Sequence, residues 1–244
     1  MLAAITAAES GGSVTVLEKN DRLGVKLRIT GKGRCNVTND CTPEKLMENI
    51  PGNGKFLFAA FRGFTPSDTI KFFEKLGVPL KTERGGRVFP ASDRAADIAE
   101  ALSRRMRELK VAVKKGRALE ITTEDGRVTG VITDGGELLP CNSAIVCTGG
   151  MSYPRTGSNG DGYRLAARLG HTIIEPKPSL VALETDDDFC PRMQGLSLKN
   201  VTLSAYNREG KLIYEELGEM QFTHFGISGP LVLSASAHMR DFKA

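Results

Sequence analysis

The spacing of apolar residues changes period several times along the chain, and each change predicts an element. Residues 1–9 are alanine-rich and helix-favouring, with no capping residue ahead of them, and Gly11-Gly12 ends the run. Residues 13–17 (SVTVL) form a β-branched stretch that predicts a buried strand, with Glu18 at its carboxyl end. Residues 42–50 and 55–62 read as short helices. Thr65-Pro66-Ser67-Asp68 supplies a cap, a first-position proline and a first-turn acid for a helix that Gly77 stops. Its Ile70, Phe72, Phe73 and Leu76 are core residues. Ser92 and Asp93 predict the cap of another helix, running to about Leu109 with Ile98, Ala101, Leu102 and Met106 on one face.

Between residues 111 and 140 the period becomes two, with Asp125-Gly126 as a two-residue hairpin turn and Asp134-Gly135-Gly136 as a second turn. This predicts a small antiparallel meander inserted between parallel strands. Residues 143–147 (SAIVC) return as an apolar strand ending in Thr148-Gly149-Gly150. A glycine-rich loop over residues 152–162 then enters a helix from about Tyr163 to Leu169. Beyond Pro176-Lys177-Pro178 the pattern shifts to short strands (180–183, 201–205, 211–214), with a helix starting at Pro230. Two domains are therefore expected, residues 1–176 and 177–244, the second β-rich.

Helix, glycine turn, strand and terminal acid make up the second half of a βαβ dinucleotide-binding unit. In such units the acid accepts hydrogen bonds from ribose hydroxyls, about 20 residues after a glycine turn. Counting back from Glu18 places that turn just before Met1. An unrelated helix followed by an edge strand fits the same residues. Residues 27–39 (LRITGKGRCNVTN) add a loop with Gly31 and Gly33 two apart, amid Arg22, Lys26, Arg28, Lys32 and Arg34, and ending in Asn36, Thr38 and Asn39. Glycines, cations and small polar donors suit a phosphate or an anionic ring system; a solvated surface loop is the alternative. The strand, glycine loop and helix start over residues 143–163 likewise aim backbone N–H groups at an anion, or serve only chain reversal.

Composition narrows the function classes. The net charge of +4 spreads 33 basic residues among 29 acidic ones, unlike a dedicated nucleic-acid binder. Arg104, Arg105, Arg107 and Lys110 read as a solvated helix face. Five cysteines without a CxxC disfavour a zinc site or a disulfide framework and suit a reducing cytoplasm. No stretch reaches the roughly 18 apolar residues of a membrane span, and the start lacks the features of a signal peptide. Gly31-Lys32 is followed by Gly33, so no P-loop is present. His171, His224 and His238 stand far apart, no metal ligand set is expected, and no GxSxG elbow occurs.

The segments VTVLEKN, GKGRCNVTN, GRVFPASDRAADIAEAL, CTGGMSYPRTGSNGDGY and FTHFGISGP together resemble the bacterial NAD(P)/FAD-dependent oxidoreductases of the bile-acid 4,6-reductase-like, or aminoacetone-oxidase-like, family. GKGRCNVTN is nearly a signature, and the resemblance covers essentially the whole chain. It implies an α/β fold: an FAD-binding Rossmann-like domain, here incomplete, with a small antiparallel meander and the start of a β-rich inserted domain. It also implies FAD as cofactor, NAD(P)H as reductant and a small-molecule substrate, with neither nucleic acid nor membrane as partner. By position, Glu18 with Lys19 would hold the adenosine ribose. Arg22, Leu23 and Gly24, then Gly31, Gly33, Arg34, Cys35, Asn36, Val37 and Thr38, would run along the pyrophosphate toward the flavin. Ala118 would touch adenine through its backbone, and Thr148, Gly149 and Gly150 would pack against the cofactor. Arg34 or nearby backbone donors would stabilise charge on the reduced ring, and Cys35 is better read as a packing residue than as a redox thiol.

Family members begin with a strand and glycine turn ahead of the position of Met1, and they end with a segment returning to the FAD domain. Neither is in this sequence, so a fragment is expected. Two functions follow: hydride transfer from NAD(P)H through FAD to an unsaturated or carbonyl substrate, or a non-catalytic remnant that binds nucleotide weakly or not at all.

Overall fold

The structure, a computed structural model, describes residues 1–239. In chain order the helices are α1 (Leu2–Glu9), α2 (Val25–Ile29), α3 (Pro43–Glu48), α4 (Phe58–Gly63), α5 (Pro66–Lys75), α6 (Ala95–Glu108), α7 (Asp161–Arg168), α8 (Phe189–Arg192) and α9 (Pro230–His238). The strands are β1 (Thr15–Glu18), β2 (Thr38–Asn39), β3 (Leu80–Glu83), β4 (Arg87–Pro90), β5 (Ala112–Lys115), β6 (Ala118–Glu124), β7 (Arg127–Thr133) and β8 (Leu138–Pro140), followed by β9 (Leu183–Glu184), β10 (Ser197–Tyr206), β11 (Leu212–Thr223) and β12 (Gly226–Ser228). The chain divides into two compact units. The first is Met1–Met47 with Leu57–Ile174, and the second is Glu48–Phe56 with the chain from Glu175 onward.

The first unit is mixed α/β. β1 and β5 pair in parallel from Thr15↔Ala112 to Glu18↔Lys115. The stretch expected to open the meander thus runs alongside β1 instead. Its side chains alternate like a meander strand's, and sequence period cannot tell one pairing partner from another. The meander itself is β6-β7-β8, antiparallel, with Asp125 and Gly126 both at positive φ in the tight turn between β6 and β7.

A third sheet, β2-β4-β3, carries the end of the GKGRCNVTN segment against Val88 and Arg87. The core lies between α1 and α6, where Ile5, Ile98, Ala101 and Met106 are sealed, with Phe73 and Val111 closing its sides. α5 begins as its sequence predicts, with a reciprocal capping box between Thr65 and Asp68.

Two expectations fail here. Ser92 and Asp93 do not cap α6; Arg94 holds that position without a side-chain cap, because Asp93 is committed to Arg34 and Lys81. Residues 143–147 are not a strand: they form no ladder among the described residues, and Ile145 is left 67% exposed. An apolar run becomes a strand only where an edge with open N–H and C=O groups accepts it.

In the second unit the four strands run β10-β11-β12-β9, antiparallel throughout. α9 packs on β11 and buries Leu231, Val232 and Ala235. Residues 180–183 shorten to a two-residue bridge, with Leu180 at φ 55 outside it. Burial and a hydrogen bond to Glu216 push the Tyr214 phenol up to about 12. Among the described residues, no helix is long and apolar enough to cross a membrane.

Candidate functional site

The site grows from the carboxyl end of β1. Glu18 Oε1 accepts from the Asn20 backbone N–H at 2.8 Å and from Asn20 Nδ2 at 2.8 Å, a local turn that fixes the carboxylate. No hydrogen bond among the described residues reaches its other oxygen, Oε2. Asn20 Nδ2 also donates to the Thr156 carbonyl at 3.2 Å, and Lys19 Nζ to Asn159 Oδ1 at 2.9 Å. The two residues after Glu18 thus grip the glycine loop that follows Thr148.

Lys26, in the first turn of α2, holds the same loop from the other side, donating to the Ser152 carbonyl and hydroxyl at 2.9 Å and to Ser158 Oγ at 3.1 Å. Two glycines make this contact possible. A Cβ on Gly157, at φ 94, would lie 2.9 Å from Asn20 Nδ2, and one on Gly149, at φ 73, would lie 2.6 Å from Ser158 Oγ. The Tyr163 hydroxyl stands over Gly150, 3.4 Å from where its Cβ would be.

At the head of α7, Asp161 collects three cations. Its Oδ2 accepts from Lys19 Nζ at 2.5 Å, and its Oδ1 from Arg117 Nε at 3.0 Å, from Arg117 Nη2 at 2.5 Å and from Arg164 Nη2. Only 5% of the Asp161 side chain is exposed. Burial pushes its carboxyl up, but the hydrogen bonds from Arg117, Lys19 and Arg164 outweigh it and hold it well below the usual carboxylate range. Through this residue the end of β1, the start of β6 and the glycine loop become one assembly.

The structure therefore brings Glu18, Lys19, Thr148, Gly149 and Gly150 together, with Ala118 joined to them through its neighbour Arg117. The basic loop lies differently. Gly24 starts α2 at φ 70, Arg22 is exposed, and Leu23 packs on the core. Gly31, Lys32 and Gly33 all take positive φ, which throws Arg34 back over the β2-β4-β3 sheet. There it pairs with Glu83 and with Asp93 at 2.6 Å, its guanidinium 4.1 Å above the Phe89 ring. Cys35 is 1% exposed within the core cluster, and burial raises its thiol. Asn36 is exposed, the Val37 N–H donates to the Val88 carbonyl at 2.9 Å, and Thr38 opens β2. The Arg34 guanidinium is thus engaged by two carboxylates.

Asn20, Ser158 and Asp161 are additions that sequence reasoning passed over, and Lys26 entered it only as part of the positive field around Gly31 and Gly33. The one signal for them was Gly160-Asp161-Gly162, an acid between two glycines at a helix start. Among the described residues, no group of three or more His, Cys, Asp or Glu side chains is placed to hold a metal ion.

A strand ending in an acid that is clasped to a glycine loop is the arrangement on which comparison with other proteins bears. A family model described as HI0933-like protein Rossmann domain matches residues 1–231. The chain belongs to that family. This HI0933-like chain is 33% identical over 241 residues to a 3-dehydro-bile acid delta(4,6)-reductase from Clostridium scindens, covering 98% of the chain and 58% of the relative. It is 31% identical to a ribosomal RNA dihydrouridine synthase from Haemophilus influenzae (97% and 58% covered), and 27% identical to one from Escherichia coli (98% and 58%). The chain thus spans well under two thirds of the length of the curated relatives it matches. Among solved structures, glycine oxidase from Bacillus cereus aligns over 88% of the chain and 69% of its own length at 15% identity and a TM-score of 0.31. The Rossmann-type α/β reading of the sequence stands on the family match and on the β1–β5 parallel pair.

Proposed function

We propose that the chain is the greater part of an FAD-dependent oxidoreductase that uses NAD(P)H to reduce a carbon–carbon double bond conjugated to a carbonyl. The observation that carries this reading is Glu18. Its carboxylate is oriented by Asn20 through one oxygen and keeps the other open at the carboxyl end of a parallel strand, the acceptor a ribose hydroxyl requires. The surroundings fit an anionic dinucleotide. Lys19 and Lys26 stand beside the loop, the glycines allow close backbone approach, and Arg28 keeps a buried Nε–H without a partner among the described residues.

Bound FAD would supply hydride relay from NAD(P)H to the substrate. The chain's own residues would bind and orient it: Glu18 by accepting from the ribose, the Ala118 backbone by meeting the adenine, and Thr148 to Gly150 by packing beside it. In the basic loop the backbone, Lys32 and Asn36 are available donors, whereas Arg34 is held by Glu83 and Asp93. The five free thiols suit a reducing compartment such as the cytoplasm.

Titration of the purified chain with FAD tests this. Saturable binding, followed by flavin absorbance of the washed protein and weakened about tenfold in Glu18→Ala for loss of a charge-assisted hydrogen bond, is expected. A folded, colourless protein that ignores added FAD would overturn it.

The relatives' names point to two substrates, a bile acid and a uridine of ribosomal RNA. We favour a small molecule, because acidic side chains outnumber basic ones ten to six in the described part of the second unit, a poor surface for a polyanion. Oxidation of NADPH with a 3-dehydro-delta(4,6) bile acid, compared with unmodified ribosomal RNA, separates the two.

A further inference from the structure

We propose that the cavity between Arg117, Arg164 and Arg168 is a binding site for a phosphate group, either free or as the terminal monoester of a nucleotide. The cavity measures about 60 Å³ and also touches Ala118 and Asp161. That is room for a single tetrahedral oxyanion.

The charge around it does not balance. Lys19, Arg117 and Arg164 all bond Asp161, Arg168 lines the same cavity, and Asp161 is the one carboxylate at its wall. Asp161, with Asp134 accepting from the Arg117 backbone N–H at 3.1 Å, offsets two of these four cations and leaves a positive surplus, which a bound dianion relieves. The donors are also unspent. Arg117 reaches Asp161 through Nε and Nη2, which leaves Nη1; Arg164 uses Nη1 on the Asn159 carbonyl and Nη2 on Asp161, which leaves Nε. Arg168 gives Nη1 to the Leu119 carbonyl at 2.6 Å and keeps Nε and Nη2. No acceptor among the described residues takes these remaining N–H groups. Planar guanidinium forks converging on one space suit phosphate oxygens better than any uncharged ligand. FAD has no terminal phosphate monoester, so this ligand is a different one, and Ala118 borders both this cavity and the proposed adenine position.

Calorimetric titration of the full chain with inorganic phosphate, and separately with AMP, in chloride buffer of matched ionic strength is the test. One saturable equivalent is expected, weakened about tenfold in Arg168→Gln through loss of a charge-assisted hydrogen bond, and unchanged in Arg127→Gln on the distant meander turn. Arginine Nε–H resonances that move on adding phosphate to Arg127→Gln but not to Arg168→Gln support the assignment even if heats are small. AMP binding more tightly than phosphate marks a nucleotide as the source, and AMP binding no more tightly marks a free anion. Heats no greater than with added chloride, or equal affinity in Arg168→Gln and the unaltered chain, would overturn the site.

Discussion

The first unit contains two charge hubs that are near mirror images. In one, a buried carboxylate, Asp161, stands among Lys19, Arg117 and Arg164. In the other, a guanidinium, Arg34, stands between Glu83 and Asp93, and Lys81 completes the set at 2.6 Å from Asp93. The Arg34 hub balances, two cations against two anions, and Phe89 covers its open face. Such a closed account fastens a loop and asks for nothing more. The Asp161 hub has a surplus of positive charge, spans elements far apart in sequence, and adjoins a cavity. Balance marks a latch and imbalance marks a site, although both kinds of hub draw on the same residue types.

The comparison breaks most sharply at its buried centre. Replacing Asp161 with Asn leaves Lys19, Arg117 and Arg164 without the carboxylate they share, and should lower unfolding stability by about 3 kcal/mol in urea titration. Arg34→Gln should cost less, because the Arg34 side chain is 34% exposed, against 5% for Asp161, and its ion pairs compete with water. A loss equal to that of Asp161→Asn would erase the distinction.

Acid sharpens it next. The Asp161 carboxyl titrates below its unfolded value of about 3.9, so its stabilisation is complete above that pH and drains away as pH falls toward the folded value. Hydrogen bonds from Arg34 and Lys81 lower Asp93 as well, and one from Arg34 lowers Glu83. Stability should therefore fall below about pH 4, less steeply in Asp161→Asn than in the unaltered chain. A smaller effect separates the hubs by salt. About 0.5 M NaCl should narrow the gap between Arg34→Gln and the unaltered chain, but leave the Asp161→Asn gap nearly intact. Least of all in energy, but simplest to read, are the thiols. Exposed Cys147, beside Thr148, should react with a disulfide reagent at once, and buried Cys35, beside Arg34, only on unfolding.

These hubs also show where sequence reading stops. Thr65 and Asp68 were legible because a capping box is closed within four residues, and Asp125-Gly126 because a turn is a local event. The place of Glu18 at the end of a strand was legible from the apolar run before it. Asp161 was not, since its cations lie at positions 19 and 117 and only the fold brings them near. Asp93 resembled a helix cap and went to Arg34 instead, because a charged partner outbids an N–H group. Residues 143–147 show the converse: a strand pattern is a statement about one chain segment, whereas a strand requires a neighbour.

Tyr163, standing over Gly150, gives the site an optical handle. The chain has four tyrosines and no tryptophan, so phenol emission is not swamped by indole. Tyr153 and Tyr206 are exposed, and the Tyr214 phenol is pushed up to about 12. Replacing those three with phenylalanine would leave Tyr163, in α7 and facing Gly150, as the single tyrosine, able to report in real time whatever settles beside it.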